Sequence, residues 1–228
     1  MRVGGVPVPK VTTLVDAATP VEIIGPPPRF VSRGGLKLEA ALDAFGVDPA
    51  GLRCLDVGAS TGGFTDCLLQ RGAASVVATD VGYGQLDDRL ARRPEITVVD
   101  RTNIRHADPD ALGAPFPLVV GDLSFISLCT VADALARLVT DDGDMVLLVK
   151  PQFEVGKGKV GRGGIVRDAD ERVAAVRGVM DCLASSGLGT VAVCLSPITG
   201  AKGNVEYFVH VEPGPAVHGL TIPAEPAR

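Results

Sequence analysis

The sequence contains no tryptophan, two tyrosines and seven phenylalanines among its 228 residues. So few aromatics disfavour a protein that reads single-stranded RNA by stacking bases on an aromatic platform. Positive charge is not in surplus either. Twenty-two lysines and arginines against 27 acids leave a formal net charge of −5, which excludes a histone-like basic protein. No apolar run is long enough to span a bilayer, and nothing near Met1 resembles a secretory signal. The chain therefore reads as soluble, intracellular and cytoplasmic, with no membrane partner. Its five cysteines (Cys54, Cys67, Cys129, Cys182, Cys194) include no C-x-x-C pair, so they read as reduced thiols rather than a disulfide framework or a zinc knuckle. His106, His210 and His218 show no metal-ligand spacing, and no metal is expected.

What is present is an ordinary globular composition, 46% hydrophobic and 21% charged, rich in glycine (28) and proline (17). A turn-rich α/β protein with one main domain fits these values. The charge is unevenly distributed. Residues 1–37 carry Arg2, Lys10, Arg29, Arg33 and Lys37 against Asp16 and Glu22, which leaves the remainder of the chain strongly acidic. A second basic stretch, GKGKVGRGGIVR, holds Lys157, Lys159, Arg162 and Arg167 on a glycine-rich backbone. Cations on so adaptable a loop can follow a polyanion, whereas the plain alternative is a solvated loop.

Along the chain, residues 1–25 are too short to fold alone, and GPPPR is a stiff proline linker. The segment SRGGLKLEAALDAFGV predicts a helix whose apolar face is Leu36, Ala40, Leu42 and Phe45. Strands are then predicted at RCLDV, ASVVATDV, EITVVD, PLVVGDLSF, GDMVLLVK, TVAVCLSP and NVEYFVHV. Helices fall between them, at GFTDCLLQRG, from Gln85 to Ala91, from about Leu128 to Leu138 and from about Ala169 to Ser185. Seven apolar strands interleaved with helices imply a doubly wound, mostly parallel sheet. No helix separates the last two strands, so they are expected to form an antiparallel pair at one edge.

The loop DVGASTGGFTD, Asp56 to Asp66, lies at the first strand-to-helix turn, where open α/β sheets bind ligands. It is not a P-loop, because Phe64 stands where the lysine belongs. It is not a G-x-G-x-x-G fingerprint, because Ser60 replaces the second glycine. A nucleoside-like ligand without pyrophosphate remains, and Asp80, ending the second strand, is placed either to accept from ribose hydroxyls or simply to cap the strand.

Asp56 to Thr65 resembles motif I of class I S-adenosylmethionine-dependent methyltransferases. Together with SRGGLKL, DLSFISL, VKPQFE, GGIVRD and GNVEYF, in that order over residues 32–212, the chain resembles the TlyA, or haemolysin A, family of ribosomal RNA 2′-O-methyltransferases. The resemblance implies a Rossmann-like seven-stranded sheet with an antiparallel last strand, S-adenosyl-L-methionine as cofactor, and a cytidine ribose of ribosomal RNA or ribosomal subunits as substrate. It divides the chain into the last part of an alpha-L RNA-binding domain (1–25), a proline linker (26–31), the methyltransferase domain (32–212) and a flexible tail (213–228). Family members begin with a complete RNA-binding domain, and residues 1–25 resemble only its β-rich end.

Related methyltransferases of the FtsJ type use a Lys-Asp-Lys-Glu set, which the resemblance carries onto Lys37, Asp122, Lys150 and Glu206. Asp122 and Lys150 end predicted strands, Lys37 lies on the helix before the first strand, and Glu206 opens a strand expected to run antiparallel, so topology can bring the four together. Transfer to a ribose hydroxyl requires alignment for in-line displacement and removal of a proton. Neighbouring carboxylates favour a charged lysine, so orienting the hydroxyl is a sounder role for Lys150 than acting as a free base. The expected cofactor set is Asp56, Gly58, Ala59, Ser60, Thr61, Gly62, Gly63, Phe64, Thr65, Asp80, Val81 and Asp122, with Asp100, Arg101 and Asn103 near the adenine. Arg2, Lys10, Arg33, Lys157, Lys159 and Arg162 are the expected RNA contacts. Cys129 lacks the Pro-Cys context of base-carbon methyltransferases, and DLSF stands where amine methyltransferases have D-P-P-Y. A membrane-active haemolysin and a cofactor-binding RNA chaperone without turnover are the alternatives. The first lacks an amphipathic basic helix, and the second leaves the four-residue set unused.

Overall fold

The computed structural model describes residues 2–224 apart from 8–11, 13, 23, 26, 157, 159, 162 and 201. In chain order its elements are β1 (Arg2–Val3), β2 (Val6–Pro7), β3 (Val21–Glu22), α1 (Gly34–Phe45), β4 (Arg53–Val57), α2 (Gly63–Gln70), β5 (Ser75–Thr79), α3 (Asp88–Ala91) and β6 (Ile96–Val99). A 3-10 turn (Ile104–His106) precedes α4 (Pro109–Leu112), β7 (Phe116–Gly121), α5 (Leu128–Ala136), β8 (Val139–Val149), α6 (Pro151–Glu154), α7 (Ala169–Ser185), β9 (Leu188–Leu195) and β10 (Tyr207–Pro213).

β1, β2 and β3 form a small exposed antiparallel sheet. The main sheet has the order β6-β5-β4-β7-β8-β10-β9, parallel from β6 to β8. Both faces are covered, which is why the strands read as continuous apolar runs. Alternation sorts their side chains: Met145, Leu147, Tyr207 and Val209 pack on one face with Val131, Leu135 and Val179 of α5 and α7. Val146, Leu148 and Phe208 pack on the other with Leu38, Leu42, Phe64 and Leu68 of α1 and α2.

The last two strands do pair, but β10 does not lie outside β9. It is inserted between β8 and β9 and runs antiparallel to both. Its register, Tyr207 opposite Val149, brings the start of β10 beside the end of β8. Glu206 and Lys150 are therefore neighbours across strands although 56 positions separate them.

Several local expectations change. The buried face of α1 is Lys37, Leu38, Ala41 and Leu42, while Leu36 is exposed. A lysine among the inward positions is what displaced the apparent apolar stripe. α3 begins only at Asp88, because the Asp87 carboxylate accepts from the Arg89 N–H and caps the helix there. Asp108 caps α4 in the same manner, with Pro109 at its first position. The cysteines are not all free: Cys129 of α5 and Cys182 of α7 form a disulfide. The helices pack side by side, so residues 53 positions apart meet where linear spacing shows no pair. Cys54, Cys67 and Cys194 remain thiols, and burial pushes all three up, to about 12, 12 and 11 respectively, which leaves them poor nucleophiles.

Candidate active site

β4 is the strand from which the sheet is wound in both directions, and its C-terminal end is the open crevice of such a fold. The loop after it turns at Gly58, whose φ is +84°. A Cβ at Gly58 would stand 3.0 Å from the backbone carbonyl oxygen of Asp122, so the loop after β4 and the loop after β7 meet backbone to backbone. Asp56 lies behind this loop, fully buried, with one carboxylate oxygen accepting from the Thr65 hydroxyl at 2.7 Å and the other without a partner. Burial pushes its carboxyl up to about 7, with the Asp122 charge adding to the shift and the Thr65 hydrogen bond opposing it.

Two cavities open on either side of the loop. One, about 480 Å³, is walled by Val81, Ile104, Leu123 and Ile126, with Asp80 and Asn103 as polar points. The other, about 360 Å³, is polar and is lined by Ser32, Arg33, Lys37, Thr61, Phe64, Lys150 and Glu206 among others. Gly58, Ser60, Asp122 and Ser124 belong to both.

Lys37, Asp122, Lys150 and Glu206 converge in the polar cavity as two pairs. The Lys37 ammonium donates to Glu206 at 2.5 Å. The Lys150 ammonium lies 2.6 Å from an Asp122 oxygen and donates to the Ser124 hydroxyl oxygen at 2.6 Å. Four elements deliver them: the inward face of α1, the end of β7, the end of β8 and the start of β10. The Glu206 carboxylate packs directly on Gly200, where any side chain would collide with it.

The remaining sequence candidates divide by position. Ala59, Ser60, Thr61, Gly63, Phe64, Asp80, Val81 and Asn103 line one cavity or both. Asp56, Gly62 and Thr65 line neither and support the loop from behind. Asp80 is already engaged, accepting from the backbone N–H groups of Ser60 and Gly82 through different oxygens. Asp100 and Arg101 stand outside both cavities: Asp100 accepts from the Gly84 N–H, and the Arg101 guanidinium lies over the Tyr83 ring. Of the expected RNA contacts, Arg33 rims the polar cavity and Arg2 lies on the small exposed sheet. Lys10, Lys157, Lys159 and Arg162 fall outside the described residues. The N-terminal positive charge is also smaller than the sequence implies, because Lys37 is spent on Glu206 and Arg29 pairs with Glu39.

A third cavity, about 330 Å³, shares Ser124, Lys150 and Glu206 with the polar one and adds Phe125, Phe153, Lys202 and Asn204. Sequence reasoning passed over these residues even though DLSF and VKPQFE contain two of them. Phe125 is 90% exposed at a left-handed φ of 65°, with its ring 5.2 Å from that of Phe153. An apolar ring held open to water in a strained conformation is a common mark of a binding position. Glu154 fastens the two segments, accepting from the Ser127 hydroxyl at 2.5 Å and the Leu128 N–H at 2.9 Å. Burial raises its carboxyl above the ordinary range.

The model of the FtsJ-like methyltransferase family matches residues 30–212. The chain belongs to that family. It is 51% identical over 210 residues to the 16S/23S rRNA (cytidine-2′-O)-methyltransferase TlyA of Mycobacterium tuberculosis, covering 92% of this chain and 78% of that one. Hemolysin A of Brachyspira hyodysenteriae is 39% identical over 183 residues, 80% and 76% of the two chains. The crystal structure of a candidate hemolysin from Lactococcus lactis superposes with a TM-score of 0.81 at 37% identity, covering 85% of this chain and 94% of that one. Among the described residues no helix is long and apolar enough to cross a membrane. This FtsJ-like chain is thus a methyltransferase.

Proposed function

We propose that this chain transfers the methyl group of S-adenosylmethionine to the 2′-hydroxyl of a cytidine ribose in ribosomal RNA, the activity for which its mycobacterial relative is named. One observation carries the reading. Lys150, paired with Asp122, stands in the wall between a polar cavity at the glycine loop and a cavity floored by two aromatic rings.

The larger cavity suits the adenosine half of the cofactor: apolar walls for the base, and an Asp80 carboxylate whose oxygens retain lone pairs for ribose hydroxyls after accepting from Ser60 and Gly82. The polar cavity suits the amino-acid end, with Ser32, Arg33 and Thr61 around it. Bound there, the cofactor supplies an activated methyl group and its own leaving group. The protein's part is alignment and proton handling. The Lys150 ammonium donates to Ser124 and lies against the Asp122 carboxylate, and a remaining N–H can hold the attacking hydroxyl oxygen. As the new bond to carbon forms, the hydroxyl proton passes toward the Lys150–Asp122 pair. Lys37, fixed by Glu206, holds an adjacent sugar or phosphate oxygen. Phe125 and Phe153 take the target base out of its stack, which gives the third cavity its occupant.

On this reading residues 1–25 supply the end of an RNA-binding domain, 26–31 a linker, 32–212 the catalytic domain and 213–228 a tail. Arg2, Lys10, Arg33, Lys157, Lys159 and Arg162 contact phosphates. Incubation with methyl-labelled cofactor and ribosomal subunits, followed by mapping of the RNA, tests the assignment. Label on the 2′-oxygen of a cytidine is the expected result; label on a base, or none, defeats it.

A further inference from the structure

About five residues along β8 and β10 from the two lysine–carboxylate pairs lies a second cluster, Asp144, His210 and Glu212. The β10–β8 pairing runs as far as Val211 opposite Met145, and Glu212 and Asp144 are the next residues on the two strands. Two like charges therefore stand close together beside one imidazole, an unfavourable arrangement on its own. Asp144 Oδ1 lies 2.6 Å and Glu212 Oε1 3.9 Å from the same imidazole nitrogen, Nε2. The three ligand atoms all fall within 4.8 Å of one another. Among the described residues no lysine or arginine pairs with either carboxylate. Phe45, at the end of α1, stacks on the imidazole with centroids 5.4 Å apart, which fixes the ring's orientation. The imidazole is buried while both carboxylates reach solvent, so the cluster is built on its inner side and open on its outer side.

We infer that Asp144, His210 and Glu212 bind a divalent transition-metal ion of the zinc class. A structural histidine–aspartate pair accounts for one carboxylate and leaves the other unexplained; a dication accounts for both. One imidazole nitrogen and two carboxylate oxygens are ligands such an ion takes at about 2.0–2.2 Å, with water completing the shell. Donors of a tetrahedral site lie about 3.3 Å apart by that geometry, between the shortest and longest separations in the cluster. The ion would fasten β8 to β10, the strands that also place Lys150 and Glu206. Linear spacing hides this site because the three residues come together only through strand pairing.

Thermal melting and calorimetry of the full chain, stripped with chelator and titrated with zinc chloride or magnesium chloride, test the inference. Zinc at a hundredfold excess over its dissociation constant is expected to raise Tm by about 5–10 °C with one ion bound per chain, and magnesium to have little effect. His210→Asn and Glu212→Gln should each abolish the shift. Glu212→Gln changes a half-exposed side chain and is expected to fold whatever happens to His210→Asn. Failure of zinc to bind the unaltered chain, or an undiminished zinc shift in Glu212→Gln and Asp144→Asn, overturns the proposal.

Discussion

The two lysine–carboxylate pairs of the polar cavity look alike in chemistry and differ in surroundings. Lys37 and Glu206 are 9% and 3% exposed in their side chains, whereas Lys150 is 10% and Asp122 25% exposed. The first pair lies between α1 and the start of β10, its carboxylate the least exposed of the four side chains and pressed on Gly200. In the second pair the carboxylate is a quarter exposed, and Lys150 borders both the polar and the aromatic cavities. A sealed pair holds geometry, because neither charge can be left alone in the interior. An open pair can exchange one of its partners for a substrate. On the proposed function Lys150–Asp122 faces the reacting hydroxyl, while Lys37–Glu206 ties α1 to β10 and holds the neighbouring oxygen.

Four tests, using five substitutions, break or sharpen this contrast. Lys150→Ala removes the open pair's cation and should lower kcat by about 10²–10⁴-fold while calorimetry shows cofactor binding nearly intact. Glu206→Ala strands the buried Lys37 charge and should cost about 3–5 kcal/mol in denaturant unfolding, and Asp122→Ala should cost less, because its carboxylate is a quarter exposed and Lys150 keeps the Ser124 hydroxyl as a partner. If the two costs are equal, the distinction between sealed and open pairs fails.

The third concerns Asp56, a buried acid with no cation beside it. Its carboxyl titrates near the ordinary 3.8 when unfolded and near 7 in the fold. Between those values the folded chain holds a proton that the unfolded chain has lost. Asp56 therefore favours the fold most at acid pH, and that advantage falls away as pH rises through about 7. The decline is on the order of a few kcal/mol from this group, and the stability of Asp56→Asn should be flatter over pH 4–8. The smallest effect is that of Phe125→Ala, which removes a stacking surface worth about 1–3 kcal/mol per base. It should raise KM for RNA and leave Tm unchanged, with a smaller loss of cofactor affinity because the ring also borders the larger cavity.

The sheet was readable because buried parallel strands leave continuous Val and Leu runs and because glycines mark the ligand turn. The four charged residues were readable only through their resemblance to known motifs, since each alone looks like a surface residue. Contacts made by packing rather than by sequence were not readable. Lys37 on the inward face of α1 disguised that helix's stripe, Cys129 met Cys182 through helix contact, and Asp144, His210 and Glu212 met through strand pairing. Phe125 was quoted within its motif but passed over, because exposure and a positive φ are properties of a backbone rather than of a letter.

The placement of β10 has a consequence in time. A chain emerging from its N-terminus can assemble β4 to β8 early, with the glycine loop, Lys37, Asp122 and Lys150 already present. The strand that completes the interior of the sheet is the last one made, and Glu206 arrives with it. Until then β8 has an open edge and Lys37 has no carboxylate to meet. An unfinished or shortened chain therefore holds the glycine loop, Lys37, Asp122 and Lys150 without the carboxylate that fixes Lys37.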